Sequence, residues 1–305
     1  MAVRHLRVGT AVAAAALLLS GCTSPGPSAS APSSSPSLPA VERYVALGDS
    51  FSAGPLIPTS DLAGGCLRSD HNYPSLVAEE LDVPDFVDVT CSGATTRDLT
   101  RVQPTFGDAR IPPQLRSVTA DTDLVTIGIG GNDLGLFGTL VQTCTSLRAS
   151  DPAGSPCARR LADRGPDLAA ATRVISNRVT TSLRAIHAKA PEATVLLVGY
   201  LRLVPDRGSC GRLPLAKGDY AEGRRISRVL DRALAQAARR AGVRFVDMYD
   251  ASRGHDICSD EPWVNGRTTY QERALAYHPF AAGMRADADQ VLTALGRSRP
   301  PSGGP

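Results

Sequence analysis

The chain has 305 residues, 42% of them hydrophobic and 21% charged, with a net charge of +3. That length buries one large core or two smaller ones, and a single α/β domain of about 250 residues lies within range. The small charge, with no basic run interleaved with aromatics, excludes a nucleic-acid surface as an expectation.

In chain order, Arg4, His5 and Arg7 form a basic start to an apolar stretch over 8–19. A bilayer-spanning helix needs about 20 apolar residues, so this shorter run suits the core of a secretory signal instead. It ends in "LLSGC", residues 18–22, which resembles a bacterial lipobox, with Cys22 as the lipidated first residue of the mature protein. An ordinary signal peptide with an incidental cysteine is the plainer alternative. Residues 23–40 are mostly Ser, Pro, Ala and Gly, too poor in apolar surface to fold, and read as a disordered tether. The expected organisation is a signal over 1–21, lipidated Cys22 and tether to 40, a folded domain over 41–297 and a frayed tail over 298–305. The expected location is extracytoplasmic, anchored to the membrane by lipid.

Apolar, β-branched runs at 44–47, 86–90, 124–129, 194–199 and 243–248 are bounded by Gly or Asp, as strands buried on both faces are. Helices are expected over 167–189, 220–241 and 280–295; in the second, Ile226, Val229, Leu230, Leu234 and Ala237 recur at helical spacing. Alternating strand and helix predicts an α/β fold with a five-stranded parallel sheet covered on both sides. Long loops at 54–72, 135–165 and 201–218 follow strand ends, where open α/β sheets bind ligands.

Besides Cys22 there are six cysteines, Cys66, Cys91, Cys144, Cys157, Cys210 and Cys258, with no CxxC pair to suggest zinc. An even number in an exported chain points to three disulfides. Of the possible connectivities, bridging neighbours in sequence is the simplest: Cys66 to Cys91, Cys144 to Cys157 and Cys210 to Cys258.

Four short pieces carry candidate chemistry. "YVALGDSFSAGP", residues 44–55, puts Ser50 at the carboxyl end of the first strand, either as a nucleophile or as a helix cap. It does not complete the G-x-S-x-G nucleophile elbow. "GIGGND", residues 128–133, offers Asn132 as a neutral donor for a developing oxyanion, or forms a plain Gly-Asn turn. In "CSGATT", residues 91–96, the Gly93 N–H can face the same pocket. "YHPFAAG", residues 277–283, sets His278 before Pro279 at the start of the last helix. The other histidines, His5, His71, His187 and His255, have weaker settings, and His255 with scattered acids makes a poor metal site.

Taken in this order, the four pieces resemble the sequence blocks of the SGNH (GDSL) hydrolases, over residues 43–295. The six cysteines and "CLRSDHNYP", residues 66–74, are similar to the secreted three-disulfide lipase and esterase branch. The resemblance implies a three-layer α/β/α flavodoxin-like fold and a serine esterase or lipase acting through an acyl-enzyme. Ser50 is then the nucleophile and His278 the general base. The N–H groups of Ser50 and Gly93, with the Asn132 side chain, form the oxyanion hole, and Asp49 organises the turn. One departure stands out: the position three before the histidine, often Asp in the family, is Leu275. Its main-chain carbonyl is the expected partner of His278 Nδ1, with Glu272 as the alternative. No metal or organic cofactor is implied. The expected partner is an ester substrate, an acyl lipid or acylated glycan, and the protein is expected to be a monomer. A glycan- or lipid-binding lipoprotein on the same fold is the alternative that the loss at Leu275 favours.

Overall fold

The computed structural model describes residues 40–105, 109–165 and 167–297. The expected signal, Cys22, the tether as far as residue 39 and the tail from 298 onward lie outside the described residues.

Strands β1 (Arg43–Gly48), β2 (Asp85–Asp88), β3 (Leu124–Gly128), β4 (Thr194–Val198) and β5 (Arg244–Val246) form one sheet in the order β2-β1-β3-β4-β5. All its pairings are parallel. Tyr44, Val45, Ala46 and Leu47 are wholly buried, as are Leu124, Val125 and Ile127, which is why these strands are apolar at successive positions rather than alternate ones. Edge strand β2, with sequence DFVD, is only half-buried.

The helices are α1 (Ser50–Ala53), α2 (Tyr73–Glu80), α3 (Pro156–Arg164), α4 (Leu168–Lys189), α5 (Tyr220–Ala241) and α6 (Ala281–Ala294). From β1 the chain crosses to β2 in one direction, and from β3 it moves to β4 and β5 in the other. Right-handed crossovers therefore put α2 on one face and α4 and α5 on the opposite face. Helix α6 packs against α2, and α4 packs against α5, completing the two outer layers. The connections diverge between β1 and β3, so a crevice opens beyond their carboxyl ends. Gly48 and Gly128, the last residues of the two strands, lie directly opposite each other there.

The strands and the three long helices agree with the sequence expectation apart from their ends. Strand β2 stops at Asp88 rather than at 90, because the Asp88 carboxylate accepts hydrogen bonds from the Thr90 N–H (2.8 Å) and hydroxyl (2.7 Å) and bends the chain. Strand β5 stops at Val246, since Asp247 caps a helical turn over Met248–Ala251 by accepting the Asp250 N–H. Helix α2 was not anticipated. Asn72 caps it, accepting the Ser75 N–H at 3.0 Å, and Pro74 is accommodated in its first turn.

The loop expected over 135–165 is largely helical, with a π-helical turn at Thr139–Cys144 and helix α3. Disulfides join Cys66 to Cys91, Cys144 to Cys157 and Cys210 to Cys258, closing segments 25, 13 and 48 residues apart. This is the sequential pairing, and one bridge ties down each of the long loops. Loop closures of this size contribute on the order of 3 kcal/mol each by restricting the unfolded chain.

Candidate active site

The turn after β1 is built by backbone chemistry. Asp49 is the N-cap of α1 and accepts the Phe51 N–H at 2.9 Å, so Ser50 is the first helical residue and not the cap. Gly48 has φ of +153°, and a Cβ there would lie 2.7 Å from the Gly128 carbonyl oxygen; only glycine lets β1 and β3 meet this closely. The buried Gln114 amide matches the Gly48 peptide on both sides. It accepts the Gly48 N–H at 2.8 Å and donates to the Gly48 carbonyl at 2.9 Å.

Ser50 and His278, 228 residues apart in sequence, meet at 2.8 Å between Oγ and Nε2, and both side chains are buried. The other ring nitrogen, Nδ1, lies 2.7 Å from the carbonyl oxygen of Ala276. This corrects the expectation for Leu275. The Leu275 oxygen is turned into the loop, where it accepts the His278 N–H at 3.2 Å and an Asn265 side-chain N–H at 3.1 Å. Tyr277 adopts φ of +63°, and the chain reverses so that the imidazole meets the carbonyl two residues back. Glu272 is exposed, and with both ring nitrogens of His278 occupied it is not their partner. Asn265 fixes this loop, donating its backbone N–H to the His278 carbonyl and its side-chain amide to the carbonyls of Thr268 and Ala274.

Burial disfavours the charged imidazole, and the bond to the Ala276 carbonyl offsets this only in part. The His278 pKa is lowered to about 4. Burial acts in the opposite sense on the carboxyl of Asp49, pushing its pKa up to about 7 against the hydrogen bonds from Tyr200 and Phe51. Tyr200 donates its hydroxyl proton to Asp49 and accepts the Gly131 N–H at 2.8 Å, so it links the turns after β1 and β3.

Gly93 sits at φ of +80° in a turn closed by the Ala94 N–H bonding to the Cys91 carbonyl. That turn is anchored twice, by the Cys66 to Cys91 disulfide and by the Cys91 N–H donating to the Gly48 carbonyl at 3.0 Å. Asn132 donates one amide hydrogen to the Ala94 carbonyl at 3.0 Å, leaving a second donor on the same nitrogen. Its neighbour Asp133, fully buried, accepts from the Thr96 N–H and hydroxyl and from Arg178 of α4, locking the two turns together. The structure thus brings the carriers of Ser50, Gly93, Asn132 and His278 to the carboxyl edge of the sheet. The remaining described histidines are elsewhere: His71 bonds Asp70, His187 lies in the last turn of α4, and His255 stacks on Trp263 at 4.0 Å. Among the described residues, no group of three or more His, Cys, Asp or Glu could hold a metal ion.

Sequence reasoning missed Gln114, Tyr200, Asn265 and Ala276. Tyr200 carried a signal, since it follows β4 at the ligand edge; a buried glutamine or a backbone carbonyl carries none. The rings of Phe51 and Phe137 lie 5.5 and 5.6 Å from His278, and both also line a narrow apolar pocket, partly open to solvent. Leu140, Leu203, Ile226 and Leu230 line more of it.

The GDSL-like Lipase/Acylhydrolase family model matches residues 46–286. Lipase 2 of Streptomyces coelicolor is 34% identical over 302 residues, covering 97% of this chain and 98% of that protein. Among solved structures, phospholipase A1 from Streptomyces albidoflavus NA297 superposes with a TM-score of 0.67 at 29% identity, covering 84% of this chain and 99% of the other. The extracellular lipase from Streptomyces rimosus gives 0.67 at 32% identity, covering 83% and 98%. The chain belongs to the GDSL-like lipase/acylhydrolase family and is a carboxylic ester hydrolase.

Proposed function

We propose that this protein hydrolyses acyl esters through a covalent acyl-enzyme on Ser50. The observation that carries the reading is the buried 2.8 Å contact between Ser50 Oγ and His278 Nε2, with Nδ1 held by the Ala276 carbonyl. That bond keeps the proton on Nδ1 and leaves Nε2 as the acceptor for the serine proton. Ser50 Oγ attacks the ester carbonyl carbon as its proton passes to Nε2. The tetrahedral oxyanion is held by the N–H groups of Ser50 and Gly93 and the free hydrogen of the Asn132 amide. His278 then protonates the departing alcohol, and the acyl group stays on Ser50. A water molecule, deprotonated by the same nitrogen, releases the acid and restores the serine. The Asn132 bond to Ala94 and the Asp133 lock support this role, because preoriented donors need no reorganisation during the reaction.

An acyl lipid is the substrate this reading favours. The apolar pocket against Phe51 and Phe137 suits a hydrocarbon chain, and a lipase and a phospholipase A1 are among the similar proteins. A fluorophosphonate probe tests the chemistry. Stoichiometric labelling of the wild-type protein is expected, with none in Ser50→Ala. A protein that binds glycans or lipids without an activated hydroxyl would not react at all.

The reading includes export and a lipid anchor at Cys22. Three disulfides persist in oxidising compartments, and the Streptomyces rimosus neighbour is an extracellular lipase. The anchor itself rests on "LLSGC" and the Ser/Pro-rich segment after it. Cys22→Ala is expected to abolish incorporation of a fatty-acid analogue and to free the protein from the membrane fraction, with soluble-ester turnover retained. Unchanged incorporation would remove the anchor from the picture.

A further inference from the structure

We propose that Tyr200 is a positioning residue for the reaction, its hydroxyl holding the turn that carries Asn132 against the turn that carries Ser50, so that the Asn132 amide and the Ser50 N–H reach one oxyanion. This rests on the esterase reading above and names what sets the geometry of its oxyanion donors.

Tyr200 follows β4, yet its side chain bonds to the turns after β1 and β3. A phenol has one hydrogen to donate. The Gly131 N–H, 2.8 Å away, can only donate, so the Tyr200 oxygen accepts there and its own hydrogen goes to Asp49. Buried Asp49 takes that hydrogen on Oδ2 while Oδ1 accepts the Phe51 N–H, so each carboxyl oxygen has a donor. Asp49 and Gly131 are the residues immediately before Ser50 and Asn132. One hydroxyl therefore joins the neighbours of two proposed oxyanion donors.

The two turns are not held alike. The Ser50 turn has bonds of its own: the Asp49 N–H donates to the Gly128 carbonyl at 2.9 Å, Asp49 caps α1, and Gln114 matches the Gly48 peptide. The Gly131 N–H is answered by Tyr200, and the approach is about as close as glycine allows, since a Cβ at Gly131 would lie 3.0 Å from both the Tyr200 Cζ and its hydroxyl oxygen. The ring is fixed in turn by packing edge-on to Phe51, with centroids 5.2 Å apart. On the other side of Asn132, Asp133 is held by Thr96 and Arg178. Asn132 is thus clamped through both neighbours, and Tyr200 is the clamp that refers it to the Ser50 turn. Catalytic donors must be held within about 0.5 Å of the productive geometry, and a misplacement of about 1 Å costs on the order of a hundred-fold in rate. Removing the Tyr200 hydroxyl loosens Asn132 without removing any proposed oxyanion donor.

The test is a double-variant cycle on a soluble p-nitrophenyl ester. Tyr200→Phe keeps the ring and is expected to lower kcat by about ten- to a hundred-fold, with KM within about three-fold of wild type. Asn132→Ala lowers kcat by itself; in that background Tyr200→Phe is expected to cost less than about three-fold more, because the donor it positions is gone. A residue serving only the stability of the fold would lower kcat by the same factor in both backgrounds. That result overturns the proposal, as does a wild-type kcat in Tyr200→Phe. Gly131→Ala removes no hydrogen-bonding group but presses a methyl on the same ring and hydroxyl, and should lower kcat at constant KM. Should Tyr200→Phe lose its near-ultraviolet circular dichroism, Gly131→Ala decides alone, and a wild-type kcat there overturns the proposal. All these failures leave the esterase reading standing. Inertness of the wild type toward every ester, together with no fluorophosphonate labelling, would sink that reading and this inference with it.

Discussion

Ser50→Ala is expected to lower kcat on a p-nitrophenyl ester by about 10⁵- to 10⁶-fold, and His278→Ala by a similar factor, with the fold intact by circular dichroism. The two side chains act as one unit through the 2.8 Å contact between Oγ and Nε2. Without the imidazole the hydroxyl keeps its proton at neutral pH; without the hydroxyl the imidazole has nothing to activate except water. The losses should therefore not add, and the double variant should be about as slow as either single one. Residual turnover should persist, since the proposed oxyanion donors come from backbone and Asn132 that neither substitution removes. Steady-state kinetics on the three variants check this. A single variant retaining more than about a hundredth of wild-type kcat would mean that another group carries the chemistry.

The acid limb of the kcat/KM profile is expected near pH 4, well below the ordinary histidine value of about 6.5. His278 must be neutral to accept the serine proton, and its setting opposes protonation: the ring is buried, and its partner is a carbonyl dipole rather than a carboxylate. Lowering the pKa extends the neutral, active form toward acid, so activity should hold as pH falls through 6 and 5 and drop only below about 4. The same shift has a stability consequence of opposite benefit. A histidine neutral when folded and titrating near 6.5 when unfolded contributes stability fully present above that pH and lost as pH falls toward 4, on the order of 3 kcal/mol. Ellipticity measured alongside the kinetics separates loss of the base from loss of the fold. Asp49, with its pKa raised to about 7, titrates above this window, and its place is in the turn, where it accepts the Phe51 N–H. Glu272→Gln should leave kcat within about ten-fold of wild type. An acid limb near 6.5 or above, or a thousand-fold loss in Glu272→Gln, would show that a carboxylate orients the histidine after all.

A base held by a carbonyl changes how the work is divided. A carboxylate both fixes the imidazole tautomer and stabilises the imidazolium formed in the transition state; the Ala276 carbonyl does the first fully and the second only through its partial charge. More of the burden then falls on the donors proposed for the oxyanion, the Ser50 and Gly93 N–H groups and the Asn132 amide. Their carriers are braced accordingly, by Asn132 bonding Ala94, by Asp133 joining Thr96 and Arg178, and by the disulfide at Cys91.

By itself the amino-acid sequence determined the order of strands and long helices and the family, and it made sequential bridging the simplest of the possible cysteine pairings, which the structure then showed. Each has a local signature: strands such as 44–47 and 124–128 are apolar at successive positions because both their faces are covered, and paired cysteines lie in the same or adjoining loops. It also singled out Ser50 and His278 through motifs at a strand end and a helix start. Only the tertiary structure decided what those residues touch. Residues 228 positions apart leave no periodicity that records a 2.8 Å contact. The direction of a carbonyl depends on backbone torsions, and the positive φ of Tyr277, an uncommon value for a non-glycine residue, makes Ala276 rather than Leu275 the partner of His278. The same holds for Gln114 on the Gly48 peptide and for Tyr200 between Asp49 and Gly131. Their identities are written in the chain, but hydrogen bonding is satisfied or left open only where distant segments meet.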